Sequence, residues 1–151
     1  MLFPKRKPLL PEDVQAAMVE HIRAAESRTT GEIRVYVEPR CAYMDAMDRA
    51  RELFVQLGME ATERRNAVLL YLAVKDRQFA IFGDEQIYAL AGGPAFWREA
   101  AAGLQHDLRA GDFSGGLCRC IETLGNSLAH HFPYDPTVTR NELPDEIVFG
   151  K

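Results

Sequence analysis

The sequence is poor in the features that mark secreted, membrane-spanning and nucleic-acid-binding proteins. It has three cysteines, an odd number that argues against a disulfide framework. No segment approaches the ~20 apolar residues of a membrane span, and the basic start (MLFPKRKPLL) holds no apolar stretch long enough for a signal peptide. The net charge of −4 argues against a nucleic-acid binder, which would present a basic face. We therefore expect a cytoplasmic protein that spans no membrane, binds no nucleic acid and has no disulfide bonds.

The sequence also lacks the motifs of several common enzyme classes. GGP at 92–94 and SGG at 114–116 have no accompanying Lys-Ser, Lys-Thr or nucleotide fingerprint, so neither predicts a phosphate-binding loop. No Gly-x-Ser-x-Gly motif is present. Cys118 and Cys120 lie two residues apart in a predicted helix and point to different sides, which makes a poor zinc pair. Cys120 falls on the apolar stripe of that helix, and we expect it in the core.

Hydrophobic residues make up 47% of the 151 residues, which is enough for the core of one compact domain. We expect an N-terminal extension at residues 1–9, the folded domain at 10–133 and a C-terminal tail or docked arm at 134–151. The last segment has recurrent prolines and no periodicity, so we expect it to add little to the core. Its apolar residues IVF at 147–149 nevertheless need a surface to cover them.

Apolar spacing divides the domain into helices and strands in the order α-β-α-β-β-α-α-α. Predicted helices cover residues 11–26, 43–57 and 85–91, and two more run from Pro94 to Gly111 and from a capping Ser114 to Pro133. Predicted strands cover residues 32–38, 66–74 and 78–82.

The strand patterns predict the topology of the sheet. Residues 32–38 (EIRVYVE) alternate, which indicates a strand with one wetter face. The second strand is apolar throughout, as expected of a strand covered on both faces. A helix between the first two strands makes them parallel with a right-handed crossover, and the KDR turn makes the third antiparallel to the second. We therefore predict a three-layer α/β/α sandwich around a small mixed sheet, of Rossmann-like type.

Two helical stripes predict core residues by their spacing. They are Met47, Ala50, Phe54 and Leu57 in the second predicted helix, and Trp97, Ala101, Leu104 and Leu108 in the fourth. We expect Trp97 to lie in the core and not to face a ligand.

Acidic and amide side chains should gather at one end of the predicted sheet. Because the third strand runs opposite to the other two, its finish at Asp84 and Glu85 lies beside their starts at Glu32 and Asn66. Oxygen ligands without thiols suit Ca²⁺ or Mg²⁺, and binding should be weak because Arg65 lies at the same edge. In the alternative interpretation, which we favour, Asp84 caps the following helix and Glu85 stabilises its first turn.

Three segments together resemble the TPM-domain family, sometimes labelled TPM phosphatases. They are TTGEIRVYV at 29–37, NAVLLYLAVKDRQFAIFGDEQI at 66–87 and GDFSGGL at 111–117, and the resemblance covers roughly residues 10–133. It implies an α/β/α sandwich. Some members resemble metal-dependent acid phosphatases and bind calcium. Others are anchored to membranes and are linked to the maintenance of membrane complexes, including photosystem II repair.

Only some positions of the family pattern are present in this chain. Glu32 matches the Gly-Glu of the family, and Asn66 matches an asparagine that usually follows an aspartate, where this chain has Arg65. Asp84 and Glu85 stand in place of a Gly-x-Gly-x-Glu segment. The Thr-Asp pair that often follows is replaced by ALAGGPAFW, so two acidic positions of the family pattern are missing.

Two functions of different classes follow from the resemblance and the residues. The first is a binding module for an unknown protein partner, related to the maintenance of membrane complexes. The missing carboxylates and the lack of a nucleophile favour it. The second is a weak, divalent-metal-dependent acid phosphatase that acts on phosphomonoesters. In that alternative Glu32, Asp84 and Glu85 hold Ca²⁺ or Mg²⁺, Asn66 orients it, and Arg65 contacts the substrate phosphate.

Overall fold

The computed structural model describes residues 8–138 and 146–151. Within them the helices are α1 (Glu12–Glu26), α2 (Ala46–Gln56), α3 (Glu85–Leu90), α4 (Pro94–Arg109) and α5 (Phe113–His131). The strands are β1 (Glu32–Glu38), β2 (Ala67–Ala73), β3 (Gln78–Gly83) and β4 (Ile147–Phe149). The predicted element order is confirmed as far as α5. Most of the predicted N-terminal extension lies outside the described residues.

The strands form one mixed sheet in the order β3-β2-β1-β4. β1 and β2 are parallel, with Val35 opposite Leu70, and β3 is antiparallel to β2, with Ile81 opposite Leu70. Both orientations confirm the topology predicted from the connecting segments.

Helices cover both faces of this sheet and complete the predicted three-layer α/β/α sandwich. On one face Val35 and Leu70 belong to a core shared with α1, α4 and α5. On the other face Leu69 and Tyr71 pack with Phe54 of α2. All seven residues of β2 are buried, which confirms the prediction of a strand covered on both sides.

β1 lacks the wetter face that its alternation predicts. Glu32, Arg34 and Glu38 are each only 6% exposed. The reason is its position in the sheet, because β1 is an inner strand with β2 on one side and β4 on the other. Its polar residues are therefore buried within the protein, where each must be compensated by partners.

β4 is an element that the sequence analysis does not predict. Val35 N–H donates to the carbonyl oxygen of Glu146 at 2.8 Å, and Gly150 N–H donates to that of Val37 at 2.7 Å. β4 thus lies parallel to β1, and Ile147 packs against the main core. The end of the chain is a docked arm, one of the two alternatives that the sequence leaves open. Ile147 is only partly buried, and the expectation that the segment adds little to the core stays a prediction.

A capping side chain moves the start of α2. The Asp45 carboxylate accepts a hydrogen bond from the Asp48 N–H at 2.8 Å, so α2 begins at Ala46, three residues later than predicted. Met47 is then 42% exposed, which contradicts its place in the predicted stripe, and Leu53 is buried instead.

α5 also begins at a different cap from the predicted one. The side chain of Asp112, and not that of Ser114, accepts a hydrogen bond from the Gly115 N–H at 3.2 Å. Asp112 therefore supplies the acceptor that an uncapped helix start needs.

Trp97 lies in the core, as predicted, with 7% of its surface exposed. Its ring covers Gly83 so closely that a Cβ atom there would lie 2.5 Å from it. The missing side chain thus lets α4 approach the end of β3. The indole N–H of Trp97 donates to the carbonyl oxygen of Tyr88 at 3.2 Å, which joins α4 to α3.

The cysteines are free thiols. Cys120 is 5% exposed, which confirms its core position, and burial raises its pKa to about 12. In the part of the chain that the structure describes, no helix is both long and apolar enough to cross a membrane.

Candidate functional site

Arg65 organises the end of the sheet at which β1 and β2 begin. Its backbone φ is 49°, in the left-handed region that residues other than glycine seldom adopt. Its carbonyl oxygen accepts a hydrogen bond from the Gln86 N–H at 3.2 Å, one of the donors that the first turn of α3 leaves without a partner inside the helix. This turn fixes the backbone of Arg65 against the start of α3.

Asp84 joins β3, α3 and Arg65 through one carboxylate. It caps α3 by accepting from the Glu85 N–H at 2.8 Å, which confirms the predicted cap. It also accepts from Arg65 Nε at 2.7 Å and from Arg65 Nη2 at 2.9 Å, the bidentate geometry of a strong arginine–carboxylate contact. Arg65 Nη1 donates to Glu85 Oε1 at 3.3 Å.

This pair has an electrostatic consequence for cation binding. The hydrogen bond from Arg65 to Asp84 is the main cause of a raised pKa of the Arg65 guanidinium, so Arg65 keeps its positive charge throughout the physiological range. A fixed positive charge beside Asp84 and Glu85 repels a second cation at the same oxygens. A divalent ion at this position must therefore displace the guanidinium of Arg65.

The other two predicted ligands are buried at the same end of the sheet. Asn66 is 1% exposed, and its side-chain amide donates to Thr30 Oγ1 at 3.2 Å. Glu32 lies opposite Ala67 in the register of β1 and β2 and is largely buried. Asn66 thus ties the start of β2 to the residues that lead into β1.

Glu32, Asn66, Asp84 and Glu85 share one end of the sheet, as predicted from the topology. Among residues 8–138 and 146–151, no three His, Cys, Asp or Glu side chains form a group that could hold a metal ion. Binding of Ca²⁺ or Mg²⁺ by these four residues stays a prediction.

A second arginine–carboxylate pair, which no pattern in the sequence predicts, lies at the opposite end of β1. Arg49 of α2 donates to Glu38 through Nε at 2.9 Å and Nη2 at 3.0 Å, and the Tyr71 hydroxyl donates to the same carboxylate. Burial raises the pKa of Tyr71. Burial alone would raise the pKa of Glu38 too, but the hydrogen bonds from Arg49 and Tyr71 outweigh it and lower that pKa. Glu38 is one of three charged residues in the strand EIRVYVE, so its position in the sequence gives no signal for this contact.

A groove of ≈ 1330 Å³ runs along β3, from α2 on one side to α4 on the other, and reaches Arg65 and Asp84. Its floor is β3, the outermost strand on this side of the sheet. Met47 and Arg51 line it from α2, and Arg98 lines it from α4. This surface cannot be predicted from periodicity, because periodicity indicates which residues are buried but does not give the order of the strands.

Comparisons with known proteins agree with the fold. The family model described as TPM domain matches residues 6–127. The NMR structure of the BA42 protein from the psychrophilic bacterium Bizionia argentinensis is 37% identical, covers 97% of this chain and 99% of that one, and has a TM-score of 0.84.

Two more distant structures share the fold. The N-terminal domain of the cg2496 protein from Corynebacterium glutamicum is 22% identical, with 77% of this chain and 69% of that one covered and a TM-score of 0.53. The N-terminal domain of a protein from P. gingivalis is 19% identical, with 84% and 83% covered and a TM-score of 0.66. No curated protein matches the chain.

Proposed function

The chain belongs to the TPM-domain family, and we propose that it acts as a binding module for a protein partner and not as a metal-dependent phosphatase. The observation that carries this proposal is the bidentate contact of Arg65 with Asp84, at 2.7 and 2.9 Å. We also propose a cytoplasmic location, which the three free thiols favour. A role in the maintenance of membrane complexes rests on the family resemblance alone.

The chemistry of metal-assisted hydrolysis explains why this contact matters. A divalent ion promotes phosphate hydrolysis by polarising a phosphoryl oxygen and by generating hydroxide, and both roles need a coordination site open to substrate and water. Here the carboxylates of Asp84 and Glu85 already bind a guanidinium. The aspartate that precedes Asn66 in the family pattern is replaced by this same arginine. This one difference removes a candidate metal ligand and adds a cation that competes with a metal ion for Asp84 and Glu85.

The phosphatase alternative is favoured by the shared position of the predicted ligands. In it, Glu32, Asp84 and Glu85 hold Ca²⁺ or Mg²⁺ and Asn66 orients the ion. Arg65 must then leave Asp84 and turn to the phosphate of a phosphomonoester, which is also a good bidentate partner for arginine.

A calcium titration followed by NMR tests the proposal, with Arg65→Asp as the informative variant. In the wild type the amide signals of residues 31–32, 65–66 and 83–86 should not move at millimolar Ca²⁺. In Arg65→Asp they should move, because the variant restores the acidic position of the family, and aspartate tolerates a left-handed backbone better than most residues. Arg64→Asp is the matched control, because it makes the same change of charge at the neighbouring position. Arg64 pairs with Asp135 at 3.6 Å and not with Asp84.

Three results would count against the binding module. One is a calcium-dependent movement of these amides in the wild type. Another is hydrolysis of a phosphomonoester by the wild type that needs the divalent ion. The third is an Arg65→Asp variant that stays as insensitive to calcium as Arg64→Asp, since Arg65 would then not be what keeps calcium out.

A further inference from the structure

The groove beside β3 contains a strand edge whose hydrogen-bonding groups face outward. Asp84 N–H donates to the carbonyl oxygen of Ala67 at 3.0 Å, so these two residues form a hydrogen-bonded pair of the antiparallel ladder. Such pairs alternate with pairs whose N–H and C=O groups point away from the partner strand. The register therefore directs the backbone groups of Phe79, Ile81 and Gly83 away from β2. Phe79 is half-buried, whereas Ile81 and Gly83 are buried, so an added strand reaches these two only from within the groove that they line. Within the described residues, β2 is the only strand paired with β3.

The size and lining of the groove suit an extended chain. β3 has six residues, which corresponds to roughly 20 Å of strand. Exposed apolar side chains lie on both sides of this floor: Met44 and Met47 near the start of α2 are 38% and 42% exposed, and Tyr88 of α3 is 39% exposed. Methionine adapts its shape to different partners, so these residues offer contacts for alternate side chains of an added strand.

The charge of the groove is opposite to that of the protein. The chain has a net charge of −4, whereas four arginines and three carboxylates line the groove: Arg51, Arg65, Arg77 and Arg98, with Asp45, Asp84 and Glu85. Arg65 is paired with Asp84 and Glu85, while the other three arginines are exposed. Among the described residues, Arg77 and Arg98 lie within 4.0 Å of no carboxylate, and Arg51 approaches Asp48 only at 3.9 Å. The groove therefore favours an acidic occupant.

We propose that the edge of β3 binds an extended, acidic segment of a protein partner as an additional strand of the sheet. The inference rests on the proposed binding function and names the partner that this site takes. Backbone hydrogen bonds to Phe79, Ile81 and Gly83 supply affinity, and the arginines on the two walls select acidic side chains. A second copy of this chain is a poorer occupant, because two basic grooves would face each other.

A synthetic peptide that alternates glutamate with valine or isoleucine is the probe. Titrated into the full chain and followed by NMR, it should move the amide signals of Phe79, Ile81 and Gly83 and slow their hydrogen exchange. A peptide with lysine in place of glutamate should bind at least about ten-fold more weakly, since it reverses every charge contact. A glutamate peptide with N-methylated backbone amides should lose binding, because it cannot pair with a strand edge.

Arg98→Glu provides the test on the protein side. It should weaken binding of the glutamate peptide by about ten-fold, whereas Arg28→Glu should leave binding unchanged. Arg28 is also exposed, lies outside the groove and donates to Asn126 at 3.1 Å. Both variants should give the same circular dichroism spectrum as the wild type.

Three outcomes would overturn the inference. The first is no movement of the β3 amides at millimolar peptide, and the second is equal binding of the N-methylated peptide. The third is a dimer of the chain alone, seen by sedimentation, in which the β3 amides are already protected. These three results are measured without calcium. They are therefore distinguishable from the calcium-dependent results that would count against the proposed function.

Discussion

Arg49 and Arg65 each hold one carboxylate through two hydrogen bonds, at opposite ends of the same sheet. Their surroundings differ. The side chains of Arg49 and Glu38 are 22% and 8% exposed, and the buried Tyr71 hydroxyl donates a hydrogen bond to Glu38 from β2. The Arg65 side chain is 39% exposed over an Asp84 side chain that is 5% exposed. Water therefore reaches the guanidinium of Arg65 more freely than that of Arg49.

The two arginine–carboxylate contacts therefore share a geometry but differ in their effect on stability. Removing one partner of a buried pair leaves a charge without compensation, which is strongly destabilising. Removing Asp84 from the other pair leaves the guanidinium of Arg65, which is 39% exposed and which water can solvate, and a pair that leaves such a charge contributes little to stability. The Glu38 end thus fixes α2 on the sheet, while the Arg65 end lies at the groove beside β3.

The largest effect is expected from breaking the buried pair. Arg49→Met leaves the Glu38 carboxylate buried with Tyr71 alone and should lower the free energy of unfolding by about 3–5 kcal/mol, measured by urea denaturation. The matched control is Arg40→Met, whose arginine is 66% exposed in its pair with Asp76 and should cost less than about 1 kcal/mol. Equal costs for the two variants would remove the distinction between buried and exposed pairs.

Acid unfolding tests the same pair through the charge of Glu38. The hydrogen bonds from Arg49 and Tyr71, working against burial, hold the pKa of Glu38 below its ordinary value of 4.5. A group with a lowered folded pKa contributes stability that is present above its unfolded pKa and is lost as the pH falls through the folded pKa. The wild type should therefore lose stability below about pH 4.5, and Arg49→Met should lose less, since Glu38 then has no cation beside it.

The measurement is the free energy of unfolding in urea, for both proteins, at several pH values above and below about 4.5. Arg49 contacts the carboxylates of Glu38 and Glu52, so the difference between the curves reports on Arg49 and these two partners. Parallel curves would show that Arg49 does not set the pKa of Glu38.

Local patterns predict much of the fold and one member of the site. The apolar run of β2 and the turn before Gln78 predict an antiparallel hairpin, and that hairpin places Asp84 beside the start of β2. The cap at Asp84 follows from its position at a strand-to-helix turn. These features depend on residues close together in the sequence, and they are confirmed.

The missed features depend on contacts between distant segments. β4 is three residues long and parallel to β1, so it has too few positions to show alternation. The pairing of Arg49 with Glu38 depends on how α2 lies over the sheet. Met47 shares a helix face with the buried Ala50 and Phe54 but lies in the first turn of α2, next to the Asp45 cap, and is exposed there.

The smallest effect is expected at the exposed end. Asp84→Ala removes the cap of α3 and should cost about 1 kcal/mol, because water can solvate the Arg65 side chain that it releases. Glu85→Gln, at a position 63% exposed, keeps the side chain's size and should change stability very little.

Thermal unfolding with and without millimolar Ca²⁺ separates the structural role of Asp84 from a role in a metal site. If Asp84 only caps α3 and holds Arg65, calcium shifts the melting temperature of neither the wild type nor Asp84→Ala. A calcium-dependent rise in the wild type that the double variant Glu32→Gln, Asp84→Asn abolishes would identify these carboxylates as ligands. It would also show that the guanidinium of Arg65 gives way to the ion, and the exposed end would then be a metal centre.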